Sequence, residues 1–342
     1  EKLFVFQRTP SSVDLRGNKP TDEQWYKSLN PGWQRERREN FAAVLFGQEF
    51  ANDLVNDGWT DIARRIGLSL MNRNADSGNL DMAEIALRAE IADYQKMNEI
   101  RARVEAECDN DEAAEKLKPW YRQFCKRPTF NDDYLATFSR ANVALVDVSG
   151  SKGVEAITEK GVVANGVEYE VDCIIYSTGF EITTAAHRRV DFDTLGRNGE
   201  SLYDHWAKGY RTLHGLSSHG FPNWFTIGIN QNALSPNMTS MFDDQAVHVS
   251  YIIDEVKKRG KQVAEPTTEA EQQWVDHIVE LAGSGTASSR FLQDCTPGYY
   301  NREGQPTTAN VQNSTYVPGI IAFNKLLKDW REAGTLDGVE LS

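Results

Sequence analysis

Several kinds of chemistry are ruled out by what this 342-residue sequence does not contain. It has no uninterrupted apolar run of the roughly 18 residues that a bilayer-crossing helix needs, so no membrane span and no membrane partner are expected. Positive charge is scarce. The 37 Lys and Arg against 50 Asp and Glu leave a net charge of −13, which excludes general nucleic-acid binding and an anionic membrane surface. The four cysteines, Cys108, Cys125, Cys173 and Cys295, are widely spaced and form no CxxC pair. They suggest neither a disulfide framework nor a zinc site; no metal is expected, and a reducing, cytoplasmic setting is. The six histidines include no HExxH, and no GxSxG elbow occurs, so a metalloprotease or hydrolase triad is not indicated. No GxGxxG or GxGxxA dinucleotide loop occurs either: Gly215–Gly220 has the wrong surroundings, and Gly283-Ser284-Gly285 follows a helix, not a strand. No charged-then-apolar leader opens the chain. An apolar strand at residues 2–6 comes at once, which leads to the expectation of a chain entered partway through a fold.

What is present reads as α/β, at a length that suggests about two domains. Leu3-Phe4-Val5-Phe6, ending in Gln7-Arg8-Thr9-Pro10, has the form of a buried strand and a loop. From about 35 to 125 the pattern is helical, with a capping box at Asp81–Glu84 and Ile85, Ala89, Ala92, Ile100 and Val104 near one face. The period then changes. Val143–Val146 is a buried-strand run, and Asn165-Gly166 between alternating residues signals a hairpin over 161–171. Cys173–Tyr176 and Trp224–Ile229 are expected as two more buried strands. Ser235-Pro236 is expected to start a helix as N-cap and N1, with Met238, Met241, Phe242, Val249, Ile252, Ile253 and Val256 inward and Gly260 beyond its end. A further helix is expected from a capping box at Thr268–Glu271, with Trp274, Ile278 and Leu281 inward, and another near Phe323–Trp330.

Four stretches could carry chemistry. Arg8-Thr9 follows a strand, where an arginine fork and a hydroxyl suit a ribose 2′-phosphate. Lys126-Arg127 places two cations after Trp120-Tyr121-Arg122-Gln123-Phe124, a pairing that can hold phosphate or a developing anion. Tyr176-Ser177-Thr178-Gly179-Phe180 ends a strand with a glycine that lets backbone approach a ligand. Asn230–Met238 leads into a helix N-terminus, whose N–H groups and dipole favour an anionic edge. Taken singly, each is equally an ordinary surface cation, a turn or a capped helix.

In this order, the motifs resemble one family. Phe4–Pro10, Lys126-Arg127-Pro128, Tyr176–Phe180, Trp206–Ser217, Gly220-Phe221-Pro222-Asn223 and Ser235-Pro236-Asn237-Met238 are similar, over essentially the whole chain, to the flavin-dependent Baeyer–Villiger monooxygenases. The resemblance implies a two-dinucleotide-binding-domain (Rossmann-like) flavoprotein that binds FAD and NADPH, with a helical insertion in the NADP domain. It further implies that O2 is captured as a C4a-peroxyflavin, which turns a hydrophobic, cyclic or polycyclic ketone into an ester or lactone through a tetrahedral adduct. Arg8 and Thr9 match the family's readers of the 2′-phosphate, and Lys126 the lysine that assists them. Arg127 is similar to the active-site arginine, whose charge cannot be titrated away. Thr178 and Gly179 match the interdomain turn, and Asn237 and Met238 the helix start facing the flavin. Asn232, Ala233, Leu234 and Ser235 would lie near substrate.

The same resemblance divides the chain into 1–20 and 126–180 (NADP-binding), 21–125 (insertion), 181–260 (FAD-binding, C-terminal half) and 261–342 (helix and loop over the active site). With both glycine-rich loops lacking, the chain is similar to the C-terminal part of such an enzyme, and the N-terminal FAD-binding segment is expected in the same or a companion chain. Arg290–Cys295 also lacks the tryptophan that many members place over the nicotinamide. The other readings are a related flavin N- or S-monooxygenase and a non-catalytic fragment or binding module.

Overall fold

The structure is a computed structural model of the chain; it describes all residues except 47–50, 72–81, 180–191, 284–294, 297, 299 and 301–310. The capping residue Asp81, Phe180 and residues 290–294 of the C-terminal loop therefore lie outside the described residues. The chain divides into two compact units, Glu1–Ile182 with Asp294–Gly304 and Thr183–Gln293 with Gln305–Ser342. No helix among the described residues is long and apolar enough to cross a membrane.

The first unit runs β1 (Leu3–Gln7), β2 (Val13–Asp14), α1 (Glu23–Ser28), α2 (Trp33–Leu45), α3 (Gly58–Met71), α4 (Met82–Glu107), α5 (Asp111–Leu117), β3 (Thr129–Phe130), α6 (Tyr134–Thr137), β4 (Val143–Asp147), β5 (Ala156–Ile157), β6 (Gly161–Ala164) and β7 (Val167–Glu170). Strands β1 and β4 pair in parallel from Leu3↔Val143 to Gln7↔Asp147. Strand period sends alternate side chains to opposite faces, and both faces here are covered. Val5, Val143 and Leu145 pack on a core that includes Val104, Leu117, Leu135 and Phe138, supplied by α4, α5 and the residues around α6. Phe4, Phe6 and Val146 face the hairpin, where both phenylalanine rings meet the edge of Tyr169 at 5.1 and 5.3 Å. The hairpin turns at Asn165 (φ 53°) and Gly166 (φ 71°), the two positive φ angles that a two-residue I′ turn needs.

Between β1 and β4 the chain leaves for the helices and returns, and the ends of this excursion are fastened together. Strands β2 and β3 pair in parallel, Val13↔Thr129 and Asp14↔Phe130. The Arg103 guanidinium on α4 donates to Val13 O (3.0 Å) on one end and Asn131 O (2.9 Å) on the other. Lys96, nearly buried on α4, bridges Asp14 (2.5 Å) and Asp61 (2.9 Å). Burial alone would pull its ammonium pKa down, but the two carboxylates outweigh that and hold it above its ordinary value.

The second unit runs α7 (Leu202–His205), α8 (Met238–Lys258), β8 (Ala264–Pro266), α9 (Thr268–Gly283), α10 (Ile320–Ala333) and β9 (Val339–Leu341), with β8 and β9 antiparallel. One core joins Ile252, Val256 and Ala264 to Phe225, Tyr251, Trp330 and Leu341. A second cluster surrounds His214, whose ring meets those of His248, Trp274 and Trp330 at 5.0–5.6 Å.

Several sequence expectations are corrected. Cys125 and Cys295 form a disulfide, so the step from cysteine spacing to a reducing compartment falls; spacing along a chain does not report distance in a fold. Cys173–Tyr176 is no strand, and Ile175 and Tyr176 are 80% and 69% exposed. A strand exists through its neighbour, and none of the described residues offers this run a ladder. Trp224–Ile229 is no strand either, because Gln245 of α8 takes over the role of a partner: its amide accepts from Gly228 N (3.0 Å) and donates to Gly228 O (2.8 Å). Helix α8 is capped by Asn237, whose Oδ1 accepts from Ser240 N, and Ser235 instead accepts from Asn237 N (3.2 Å). Its buried face is Met241, Gln245, His248, Ile252 and Val256, and Ile253 is exposed. Helix α9 is capped by Thr267 through Ala270 N (3.0 Å), and Glu271 is a buried hub rather than part of a capping box. Finally, β1 is half-buried, with Leu3 exposed.

The buried histidines give this unit a pH dependence. Burial lowers the His214 pKa to about 4; burial, with the charges of His214 and Arg331 adding to it, lowers that of His248 to about 2. Below an ordinary histidine pKa near 6.5 the unfolded chain takes up a proton that the folded unit refuses, so stability is full above about pH 6.5 and falls toward pH 4. For His214 alone the loss is about 3 kcal/mol. Urea midpoints of the protein between pH 7.5 and 4.5 should fall accordingly, and His214→Gln should flatten the slope; a slope unchanged by that variant would refute the assignment.

Candidate functional site

In the first unit Arg8, Thr9 and Lys126 meet near the C-terminal end of β1. This is the end at which parallel sheets bind ligands. Val148 N donates to Gln7 O (2.9 Å) and the Gln7 side chain to Lys116 O (2.9 Å), which fixes the strand's last residue. Arg8 follows, exposed, and Thr9 is half-buried. Next, Pro10 O accepts from the Tyr121 hydroxyl at 2.7 Å. Tyr121 is buried, and burial, opposed by bonds to Ser12, pushes its pKa up to about 12, so it stays a donor. The ring of the same tyrosine lies under Lys126, whose ammonium stands 5.6 Å from the centroid. Tyr121 therefore ties the Arg8–Thr9 loop to Lys126, although the two are far apart in sequence.

Lys126 follows the 3₁₀ turn Gln123–Cys125, which is held from α4 by Gln123 N donating to the buried Asp93 carboxylate (2.9 Å). Arg127 is exposed, with its guanidinium 5.2 Å from the centre of the Trp59 ring on α3. Trp59 in turn packs on Phe130 at 5.4 Å, and Gly58 is needed beside them, because a Cβ there would fall 2.2 Å from the Phe130 ring. Two cations of the dipeptide thus rest on two different aromatic faces. A cleft of about 820 Å³ adjoins this stack, lined among others by Asp57, Gly58, Arg16, Trp25 and Lys96. Thr178 and Gly179 (φ 89°) are exposed in the same unit, beyond the apolar run at 173–176.

In the second unit, the loop before α8 is built from amides. Thr212 Oγ1 bonds to Gln231 Oε1 (2.5 Å), and Gln231 Nε2 donates to Tyr210 O (2.5 Å) and Gln312 O (3.0 Å). Asn232 Nδ2 donates to His214 O (3.0 Å), and its Oδ1 accepts from Ala233 N (2.8 Å) and Gln245 Nε2 (3.0 Å). Gly215 must be glycine: its φ is 71°, and a Cβ would stand 2.8 Å from the Asn232 Cβ. The consequence is a rigid loop in which Asn232, Ala233 and Ser235 are buried and Leu234 alone of these four is exposed, at 45%. Both ends of the Asn232 amide are engaged inside the protein, so its part is to hold the loop. Asn237 and Met238, both half-buried, then start α8.

The segment before this loop is clamped by Glu271, 1% exposed, which accepts from His205 Nε2 (3.0 Å), Arg211 Nε (3.1 Å) and His219 N (2.9 Å). The bond to Glu271, against burial, holds the His205 pKa above its ordinary value. Trp206 donates to Arg211 O (3.0 Å), and Asn223 pairs with the Ala264 backbone both ways. Trp206–Ser217 and Gly220–Asn223 are in this way scaffolding for the loop. Trp224 and Phe225 also belong to packing, against Trp206 and Ile252 respectively.

Sequence reasoning missed Tyr121, Trp59, Gln245 and the disulfide. Tyr121 was half-marked by the aromatics that precede Lys126-Arg127; the rest are uncharged or lie remote in sequence, and no local pattern flags them. Among the described residues no cluster of metal-ligating side chains occurs.

No family model matches the chain. It is 45% identical to a pentalenolactone D synthase of Streptomyces exfoliatus over 343 residues, covering 100% of this chain and 58% of that protein. It is 42% identical over 333 residues to a Baeyer–Villiger monooxygenase of Streptomyces coelicolor, covering 97% of this chain and 54% of the other. Among solved structures, the polycyclic ketone monooxygenase of Thermothelomyces thermophila superposes with a TM-score of 0.87 at 34% identity, covering 100% of this chain and 56% of that one. The chain spans a little over half the length of the curated relatives it matches. Over that span, in sequence and in its α/β, two-dinucleotide-binding-domain fold, it belongs to the Baeyer–Villiger monooxygenase family.

Proposed function

We propose that these residues work in an NADPH-, FAD- and O2-dependent monooxygenase that converts a hydrophobic, cyclic or polycyclic ketone to an ester or lactone. The observation that carries the reading is the meeting of Arg8-Thr9 and Lys126 through Tyr121 at the C-terminal end of a parallel strand pair. The residues present fit a dinucleotide phosphate, since a cationic locus is built there in a chain of net charge −13. They fit one edge of a flavin as well: a 21-residue helix starts at Met238 behind a rigid loop. The glycine-rich pyrophosphate cradles are not in this sequence, and we assign them to a further segment of the same or a companion chain. Residues 1–20 and 126–180 would form the NADPH-binding part around the insertion 21–125, 181–260 the FAD-binding part, and 261–342 the region over the active site.

Bound FAD, reduced by NADPH, would supply the activation of O2. The chain's own residues do the rest by position and charge. Arg8, Thr9 and Lys126 hold the 2′-phosphate, Arg8 as a fork and Lys126 as a point charge. Arg127 offers a cation that neither gives nor takes a proton, which suits the stabilisation of negative charge developing on the ketone oxygen. Thr178 and Gly179 form the turn at which backbone can approach a cofactor. Asn237 and Met238 turn the positive end of α8 toward the flavin. Asn232, Ala233 and Ser235 hold the loop, and Leu234 presents the apolar surface that a hydrophobic ketone can meet.

Two outcomes test the assignment. Arg8→Ala should raise the dissociation constant for NADPH about tenfold or more and leave that for NADH nearly unchanged, the cost of a lost charge-assisted phosphate contact; equal losses for both would refute it. Arg127→Ala should lower ester formation by about a hundredfold or more while NADPH binding survives, and Arg127→Lys should restore little of it. Full ester formation by Arg127→Ala would overturn the role.

A further inference from the structure

Cys125 and Cys295 are joined across 170 positions of sequence, and both are buried. The bond falls beside a residue of the candidate site. Cys125 closes the 3₁₀ turn, and Lys126 is the next residue. On the other side of the bond, Gly298 lies so close to Lys126 that a Cβ built on it would stand 3.0 Å from Nζ. The ammonium is therefore confined between the Tyr121 ring, 5.6 Å away, and the backbone at Gly298. A lysine side chain has four flexible carbons and binds phosphate as a point charge, so its contribution depends on what holds it. Among the described residues, two walls flank it here. One, Tyr121, is anchored to the Arg8 loop; the other is brought from a distant part of the chain and pinned by the disulfide. Without the bond, keeping Cys295 and Gly298 at that place carries the closure entropy of a very long loop.

We propose that the Cys125–Cys295 disulfide and Gly298 are positioning residues that set the Lys126 ammonium for the 2′-phosphate of NADPH, and with it the preference for NADPH over NADH. The proposal rests on the reading of Lys126 given above. It also makes cofactor preference sensitive to thiols. A dithiol opens the bond by exchange: its two thiolates displace the two cysteine sulfurs in turn, the dithiol is oxidised to its cyclic disulfide, and Cys125 and Cys295 each gain an electron and a proton.

The test is a non-reducing peptide map of the protein, together with equilibrium binding of NADP+ and NAD+. The map should contain a peptide pair linked through Cys125 and Cys295. Cys295→Ser, or dithiothreitol treatment, should raise the NADP+ dissociation constant about three- to tenfold, part of the value of a charge-assisted contact, and change that for NAD+ less than about twofold. Reoxidation should restore the untreated protein. Gly298→Ala, with the bond intact, should act in the same direction by displacing Nζ, and this variant and reduction carry the test should Cys295→Ser fail to fold by circular dichroism. Lys126→Ala separates the two levels. If it leaves the NADP+ preference unchanged, the reading of Lys126 itself is wrong. If it lowers the preference while reduction and Gly298→Ala do not, or if the map shows free thiols at 125 and 295, the positioning proposal is overturned.

Discussion

The structure of the first unit depends on one constraint: a chain that leaves the sheet after β1 must return to the same place before β4. Closing an excursion of that length costs conformational entropy, and several interactions offset it at the same spot. The β2–β3 pair, the Arg103 fork reaching both ends, Lys96 on Asp14 and the Tyr121–Pro10 bond all act across the neck of the insertion. Once the neck is closed, the residues just before the exit and just before the return are neighbours. Arg8 lies on one side of it and Lys126 on the other. The insertion also contributes a wall to the site, since Trp59 on α3 carries the Arg127 guanidinium.

In the second unit the organising force is polar. Gln231, Asn232, Gln245 and Glu271 are all nearly buried and all bonded, and together they hold loops that contain little regular structure. Buried amides are costly unless every partner is supplied, so such a network tolerates one arrangement of backbone. That rigidity is what lets a single leucine stand out at 234 while its neighbours are covered. It also explains why Trp206–Ser217 and Gly220–Asn223, prominent in the sequence, touch other loops and strands of this unit.

Much of this was legible beforehand, and for clear reasons. The α/β character, the helical insertion and the Asn165-Gly166 hairpin rest on local periodicity and turn chemistry, which the sequence displays directly. Arg8, Lys126 and Arg127 stood out as candidates because cations after strands and beside aromatics are chemically conspicuous in an acidic chain. What failed was whatever depends on a distant partner. Cys125 could not announce Cys295. The run at 173–176 has the composition of a strand but finds no ladder among the described residues. Trp224–Ile229 also reads as a strand, yet a glutamine side chain from α8 takes both backbone groups of Gly228. The start of α8 was misplaced by two residues because Ser235 and Asn237 are both good caps, and the choice between them is made by the surrounding loop.

The central claim is that closing the neck of the insertion brings Arg8 and Lys126 to one phosphate. The most direct measurement is a crystal structure of the protein with NADP+ bound. The account predicts the 2′-phosphate within hydrogen-bond reach of the Arg8 guanidinium, the Thr9 hydroxyl and the Lys126 ammonium together, with Tyr121 still bonded to Pro10. A 2′-phosphate bound away from Lys126, or held with the Tyr121–Pro10 contact broken, would contradict it.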